Sequence, residues 1–419
     1  MNVQPAAVRA APAMSELRVG LICALLVSIG PISMAVFTPA MTELVGAFRT
    51  TEPMVKLTLS LYFAGFAVAQ LFCGPLSDGL GRKPVTFGFM SIYLLASIAA
   101  ILAPNIEILI AARFLQGVGA AVGVAISRAI VRDMFTSDQS ARVMNFIGLI
   151  MGAGPALSPA IGGFLMGLFG WESVFVFMIV AGIVVVSIIR FALTETIVPD
   201  LSRIRPRALL KSYRALLADR YFMLSSIIMA GGIGAFYTQA TLLPFVLMGR
   251  VGLTAVEFGI GMLLQSGCFF AGGLVVRGLI RRFGAYRIVP VGLACVLFGS
   301  LALAIMLQFQ DPTYMNVMGP VAFYAFGMAF IMPAMSTATV APFPHMAGAA
   351  SAFAGFLQMG GGLVGGLVAA AVGDPVFAMA TVIPAMGLIT IASWAWWRTL
   401  PEPELARVIL TKDFQQPAE

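Results

Sequence analysis

The chain reads as an all-α polytopic membrane protein, with twelve transmembrane helices arranged as two pseudo-symmetric six-helix bundles. Three observations lead there. The 419 residues are 60% hydrophobic and only 10% charged, whereas about a quarter of a soluble domain is charged. Apolar runs of about twenty residues, long enough to cross a bilayer, recur along the whole length. A glycine-punctuated basic turn occurs once in each half, at 74–85 and again at 278–287.

Residues 1–18 are rich in alanine and polar side chains and lack the short apolar core of a signal peptide. The run from Val19 to Met41 is too long for such a core, so it is expected to stay as the first helix of a bundle over 19–193. Further runs in this half begin near Met54, Pro84, Ile106, Val143 and Trp171. Between the second and third lies GPLSDGLGRKPV, which sets Asp78, Arg82 and Lys83 at a membrane surface. Gly74, Gly79 and Gly81 permit close backbone approach and positive φ there, and Pro84 suits the first turn of a helix.

In the fourth run Arg113 stands about two turns inside the outer end. An arginine at that depth needs a partner or a wet cavity, which makes it a functional candidate; the alternative is a side chain snorkelling to the outer headgroups. Gln116, three residues on, can share its face, while Gly117, Gly119 and Gly123 thin the helix for close packing. The fifth run carries Gly154, Pro155, Ser158, Pro159, Gly162 and Gly163, residues that bend a membrane helix and let a neighbour approach.

The longest polar interval, 194–220, holds Arg203, Arg205, Arg207, Lys211, Arg214 and Arg220. It is expected to be a cytoplasmic linker lying against anionic lipid headgroups. The second bundle, 221–397, has runs beginning near Tyr221, Phe258, Ile288, Val317, Ala347 and Val376, followed by a polar tail at 398–419. Its copy of the turn places Gly284 where Gly81 stands and lacks the acid. Bases collect in every second loop, so both termini and the linker are expected in the cytoplasm, with Arg49, Lys56 and Arg250 left outside. That distribution, rather than nucleic acid, accounts for the net charge of +7.

Cys23, Cys73, Cys268 and Cys295 fall inside apolar runs and read as small buried hydrophobes. His345 is the single histidine, which excludes multi-histidine metal sites and histidine triads, so neither a metal, a cofactor nor an enzyme is expected.

The turn at 74–85 resembles the loop between the second and third helices of the major facilitator superfamily of secondary transporters. Residues 113–135, including Ser127, Arg128, Arg132 and Asp133, and residues 341–353 leading to Gln358 look like the drug/proton antiporters of its bicyclomycin and chloramphenicol resistance branch (Bcr/CflA). The resemblance implies a cytoplasmic latch of Asp78, Gly81, Arg82, Lys83 and Asp133, with Arg82 on Asp133 and Asp78 against the start of the eleventh helix near Ala347 to Ser351. It makes 154–163 an antiporter motif that seals the outward path, with Ser158 replacing a glycine. It also implies a cavity lined by the first, fourth, seventh and tenth helices, which nominates Phe37, Arg113, Gln116, Phe236, Tyr237, Gln239 and Tyr324.

One departure matters. Members of the branch commonly carry an aspartate where Ala35 stands, and no acid lies mid-membrane anywhere: Glu43, Glu107, Glu172, Glu257 and Asp374 all fall at outer helix ends. Glu43 and Glu107 are then the remaining candidates for proton coupling. The resemblance implies a monomeric exporter of small drug-like or metabolite molecules in a bacterial inner membrane, with protons as counter-flow and lipids as neighbours. An uptake or facilitated-diffusion carrier, and a transport-inactive sensor, are the alternatives.

Overall fold

The structure is a computed structural model that describes residues 14–204 and 206–401, apart from the side chains of Ser137, Leu149, Met151, Ala153, Pro155 and Arg203 and residue Gly152. Arg9, Arg205, Arg407 and Lys412 lie outside the described residues. The first half comprises α1 (Glu16–Ala47), α2 (Glu52–Leu80), α3 (Arg82–Ile101), α4 (Ile106–Met134), α5 (Ser137–Phe169) and α6 (Glu172–Phe191). A linker helix follows, α7 (Pro206–Ala218). The second half comprises α8 (Arg220–Arg250), α9 (Ala255–Phe283), α10 (Ala285–Phe309), α11 (Tyr314–Val340), α12 (Ala347–Val372) and α13 (Pro375–Trp397). Eleven of the described helices are long and apolar enough to cross a membrane, and α5 contributes the apolar stretch Ala156–Phe169 as a twelfth.

Polar caps set where the helices start. Asn105 Oδ1 accepts from the Ile108 amide at 3.0 Å, Asp219 Oδ1 from the Phe222 amide at 2.8 Å and Asp374 Oδ1 from the Phe377 amide at 2.8 Å. Thr254 and Glu257 cap each other's amides at the head of α9. Each side chain satisfies an amide that has no partner within the helix. This also explains why the acids stand at helix ends: a carboxylate there meets free N–H groups and the positive end of the helix dipole.

Each half has its own apolar core. The first is built from 14–193, joined from the second half by Ala240 and Phe245 and flanked by Tyr237, Met359 and Leu363, and the second is built from 221–397. Outward faces carry large apolar side chains such as Leu95, Leu168 and Phe191, which suit lipid rather than water. Of the four cysteines, Cys23 and Cys73 are buried as expected, whereas Cys268 and Cys295 are only half-buried.

The interval expected as a plain linker contains a helix. In α7, Leu216 is buried, while Arg207, Lys211 and Arg214 are exposed on the other side. Tyr213 joins the halves: its hydroxyl donates to the Leu71 carbonyl of α2 at 2.7 Å and its ring lies 5.6 Å from Phe353 of α12. Burial pushes the Tyr213 phenol up to about 12, so it stays a donor at neutral pH.

Candidate functional site

The turn between α2 and α3 is closed by Gly81 at φ +101°, a conformation that side chains with a Cβ rarely adopt. Arg82 follows directly and is 2% exposed. Its guanidinium donates to Asp78 at 2.6 Å, to Ser77 Oγ at 2.6 Å and to Asp133 at 2.9 Å. Sequence reasoning missed a further member, Glu195, which accepts the backbone amides of Arg82 at 2.9 Å and Lys83 at 3.0 Å. Its signal was an isolated acid just beyond the sixth apolar run. Lys83 Nζ donates to the Arg190 carbonyl at 3.1 Å, tying the same turn to the end of α6.

The residues expected to form the latch gather inside the first half, and the end that they would close stands open. Arg82 and Asp133 both belong to the first half, so their pair cannot hold the two halves together; it braces α2 and α3 against α4. Asp78 makes no hydrogen bond to the start of α12. It is paired with Arg82, and a cleft of about 390 Å³ separates it from the opposite wall at Ala347, Gly348 and Ser351. Arg82 is simply the nearer cation. Across this cleft Arg128 reaches Ser351 Oγ at 3.5 Å. His345 is exposed.

Arg113 does not snorkel: it is 0% exposed. Its guanidinium carbon lies 4.2 Å from the centre of the Phe37 ring and 4.5 Å from that of Tyr62, within cation–π range. NH1 donates to Gln116 Oε1 at 2.7 Å, and Gln116 Nε2 donates onward to Ser97 Oγ at 2.7 Å. Among the described residues Arg113 Nε and NH2 have no partner, and no carboxylate is within ion-pair reach. Beside this group Tyr62 donates to the Gly30 carbonyl at 2.9 Å and Ser33 bonds Tyr93.

The seven nominated cavity residues do not come together. Phe37, Arg113 and Gln116 form one group inside the first half. Phe236 and Tyr324 pack edge to face inside the second half, their ring centres 5.9 Å apart. Gln239 Oε1 accepts from Gln265 Nε2 at 2.8 Å, also within the second half. Tyr237 alone reaches across, its ring 4.9 Å from Phe63 of α2. The cleft between the halves lies instead at the end that carries the basic loops.

The opposite end of the seam is shut. An added Cβ at Gly163 of α5 would collide with the Ala255 carbonyl of α9, and one at Gly259 would stand 2.5 Å from the Pro159 carbonyl. These bare backbones let α5 and α9 touch directly. Ser158 Oγ donates to the Gly154 carbonyl at 2.6 Å, a back-bond that bends membrane helices. Gly154 and Gly162 face α1. The side chain of Pro155 lies outside the described residues. Lys56, expected as an outside base, is fully buried at this end and donates to the Gly373 carbonyl of the other half at 2.9 Å. Of the acids nominated for proton coupling, Glu43 and Glu107 are both exposed at this same end. The charge of Glu172 faces Glu43 there, and neither candidate is bonded to Arg113.

Two helical bundles with a seam shut at one end and a cleft at the other have the architecture of a secondary transporter. The chain belongs to the Major Facilitator Superfamily, whose model matches residues 23–366. It is 30% identical over 381 residues to multidrug resistance protein D of Escherichia coli (strain K12), covering 89% of this chain and 94% of that one. It is 26% identical over 344 residues to a chloramphenicol resistance protein of Pseudomonas aeruginosa, covering 82% and 80%. Its fold is similar to that of a D-xylose-proton symporter at a TM-score of 0.71, with 13% identity over 92% of this chain and 98% of the other. At that identity the likeness speaks for the fold alone. Family, relatives and fold are those of transporters and not of enzymes.

Proposed function

We propose that this protein exports small drug-like or metabolite molecules from a bacterial cytoplasm by alternating access, with the basic end inside. The observation that supports it is the unequal seam. Gly163 on Ala255 and Lys56 on Gly373 close one end, while the cleft beside Asp78 and Arg128 opens the other between both halves. A carrier must close one end as it opens the other, and contacts of bare backbone and single hydrogen bonds can be exchanged without unfolding either bundle. Export rather than uptake is supported by the names of the relatives, which are those of drug resistance proteins. The test is drug tolerance of an efflux-deficient host with and without this chain, in cells where single cysteines at Ser202 and Thr254 report orientation. Tolerance should rise, and an impermeant thiol reagent should reach only Thr254; unchanged tolerance, or labelling at Ser202, would refute the proposal.

Proton entry as the counter-flow is part of this reading. One proton moving inward is worth about 2.3 kcal/mol per 100 mV. Glu43 is the acid best placed to carry it, because it stands on a cavity-lining helix of the family and faces a second carboxylate, Glu172. An imposed pH gradient at fixed potential should drive efflux from proteoliposomes, and Glu43→Gln should abolish that drive. Flux indifferent to the gradient would remove the proton from the mechanism.

A further inference from the structure

We propose that Arg113 is the anion-binding group of the translocation site and that the exported molecules carry a carboxylate. The proposal rests on the reading of export above and names the substrate class.

Arg113 is wholly buried, yet no carboxylate among the described residues balances its charge. Among the described residues the other buried arginine, Arg82, sits on two carboxylates, whereas Arg113 has none within reach. A cation held that way in a membrane protein is costly unless an anion joins it.

The unused atoms say which anion. NH1 is committed to Gln116, and Gln116 is held in turn by Ser97, so the guanidinium is fixed in rotation. Phe37 and Tyr62 lie against it at 4.2 and 4.5 Å, which excludes water from it. Nε and NH2 are the idle pair. Those two nitrogens form one edge of the guanidinium, and their parallel N–H bonds match the two oxygens of a carboxylate. An uncharged ligand would offer acceptors but leave the charge unmatched.

Access follows from the same helix. Phe63, next to Tyr62, packs at a tilt on Tyr237 of the second half, ring centres 4.9 Å apart. The aromatic cover over Arg113 therefore belongs to the turn of α2 that meets the other bundle, and parting the seam moves it.

The test compares 2-naphthoate with 2-naphthamide, which share a ring system and differ in charge at neutral pH. Binding to the purified full chain in lipid nanodiscs is read by thermal shift and by displacement. Wild-type protein should bind naphthoate more tightly than naphthamide, and Arg113→Gln should weaken naphthoate about ten- to a hundredfold, the worth of a charge-assisted hydrogen bond, while leaving naphthamide unchanged. Equal binding of the two probes by wild type would overturn the proposal without needing any variant to fold. Undiminished naphthoate selectivity in Arg113→Gln would overturn it as well. In the tolerance screen, protection against uncharged chloramphenicol but not against the carboxylate nalidixate would refute the carboxylate while leaving export standing. Protection against neither would refute export itself.

Discussion

Arg82 and Arg113 are both buried arginines, and they are opposites. Arg82 has an acid on each side, a hydroxyl on the third, and a turn whose amides are held by Glu195. Arg113 has one amide oxygen, two aromatic rings and an idle edge. The difference separates a structural charge from a working one. A charge whose partners all belong to the protein fixes geometry, here the packing of α2 and α3 on α4, and has nothing left to offer a ligand. A charge held in place but left half-satisfied is poised for something that comes and goes.

The comparison breaks most sharply at Arg82. Arg82→Met should leave the half-buried Asp133 without its cation, a loss of about 3 kcal/mol. It should appear as a lowered melting temperature and poor recovery from the membrane. A variant as stable as wild type would mean that the acids around Arg82 are solvated rather than paired.

Arg113→Met sharpens the contrast from the other side. No acid is left behind, and Gln116 forfeits a single partner at a cost of about 1 kcal/mol, offset by an apolar side chain among rings. Its melting temperature should stay within a few degrees of wild type while transport is lost. Collapse of the protein on this substitution would make Arg113 structural too, and would erase the distinction drawn here.

Among the described residues the second half offers no counterpart to either arginine. Its copy of the turn keeps the left-handed glycine, Gly284 at φ +83°, but Arg281 and Arg282 beside it are exposed. The glycine serves chain reversal and recurs in both halves; the buried network is found in the first.

The helix count and the two halves follow from sequence alone, because a spanning helix must be apolar over about twenty residues whatever it packs against. Start positions are written in capping residues such as Asn105 and Asp374, which act locally. The pairing of Arg82 with Asp133 came from the family resemblance, which carried information about distant contacts that spacing does not. Tertiary structure decided the rest. Nothing local places Glu195 on the amides of residues 82 and 83, buries Lys56 against the other half, or parts Phe37 and Arg113 from Phe236 and Tyr324. Those facts depend on which faces of neighbouring helices meet. In membrane helices apolar nearly all round, periodicity hardly distinguishes a face toward lipid from one toward protein, so small residues such as Gly163 and Gly259 settle the contacts only once their partners are in place.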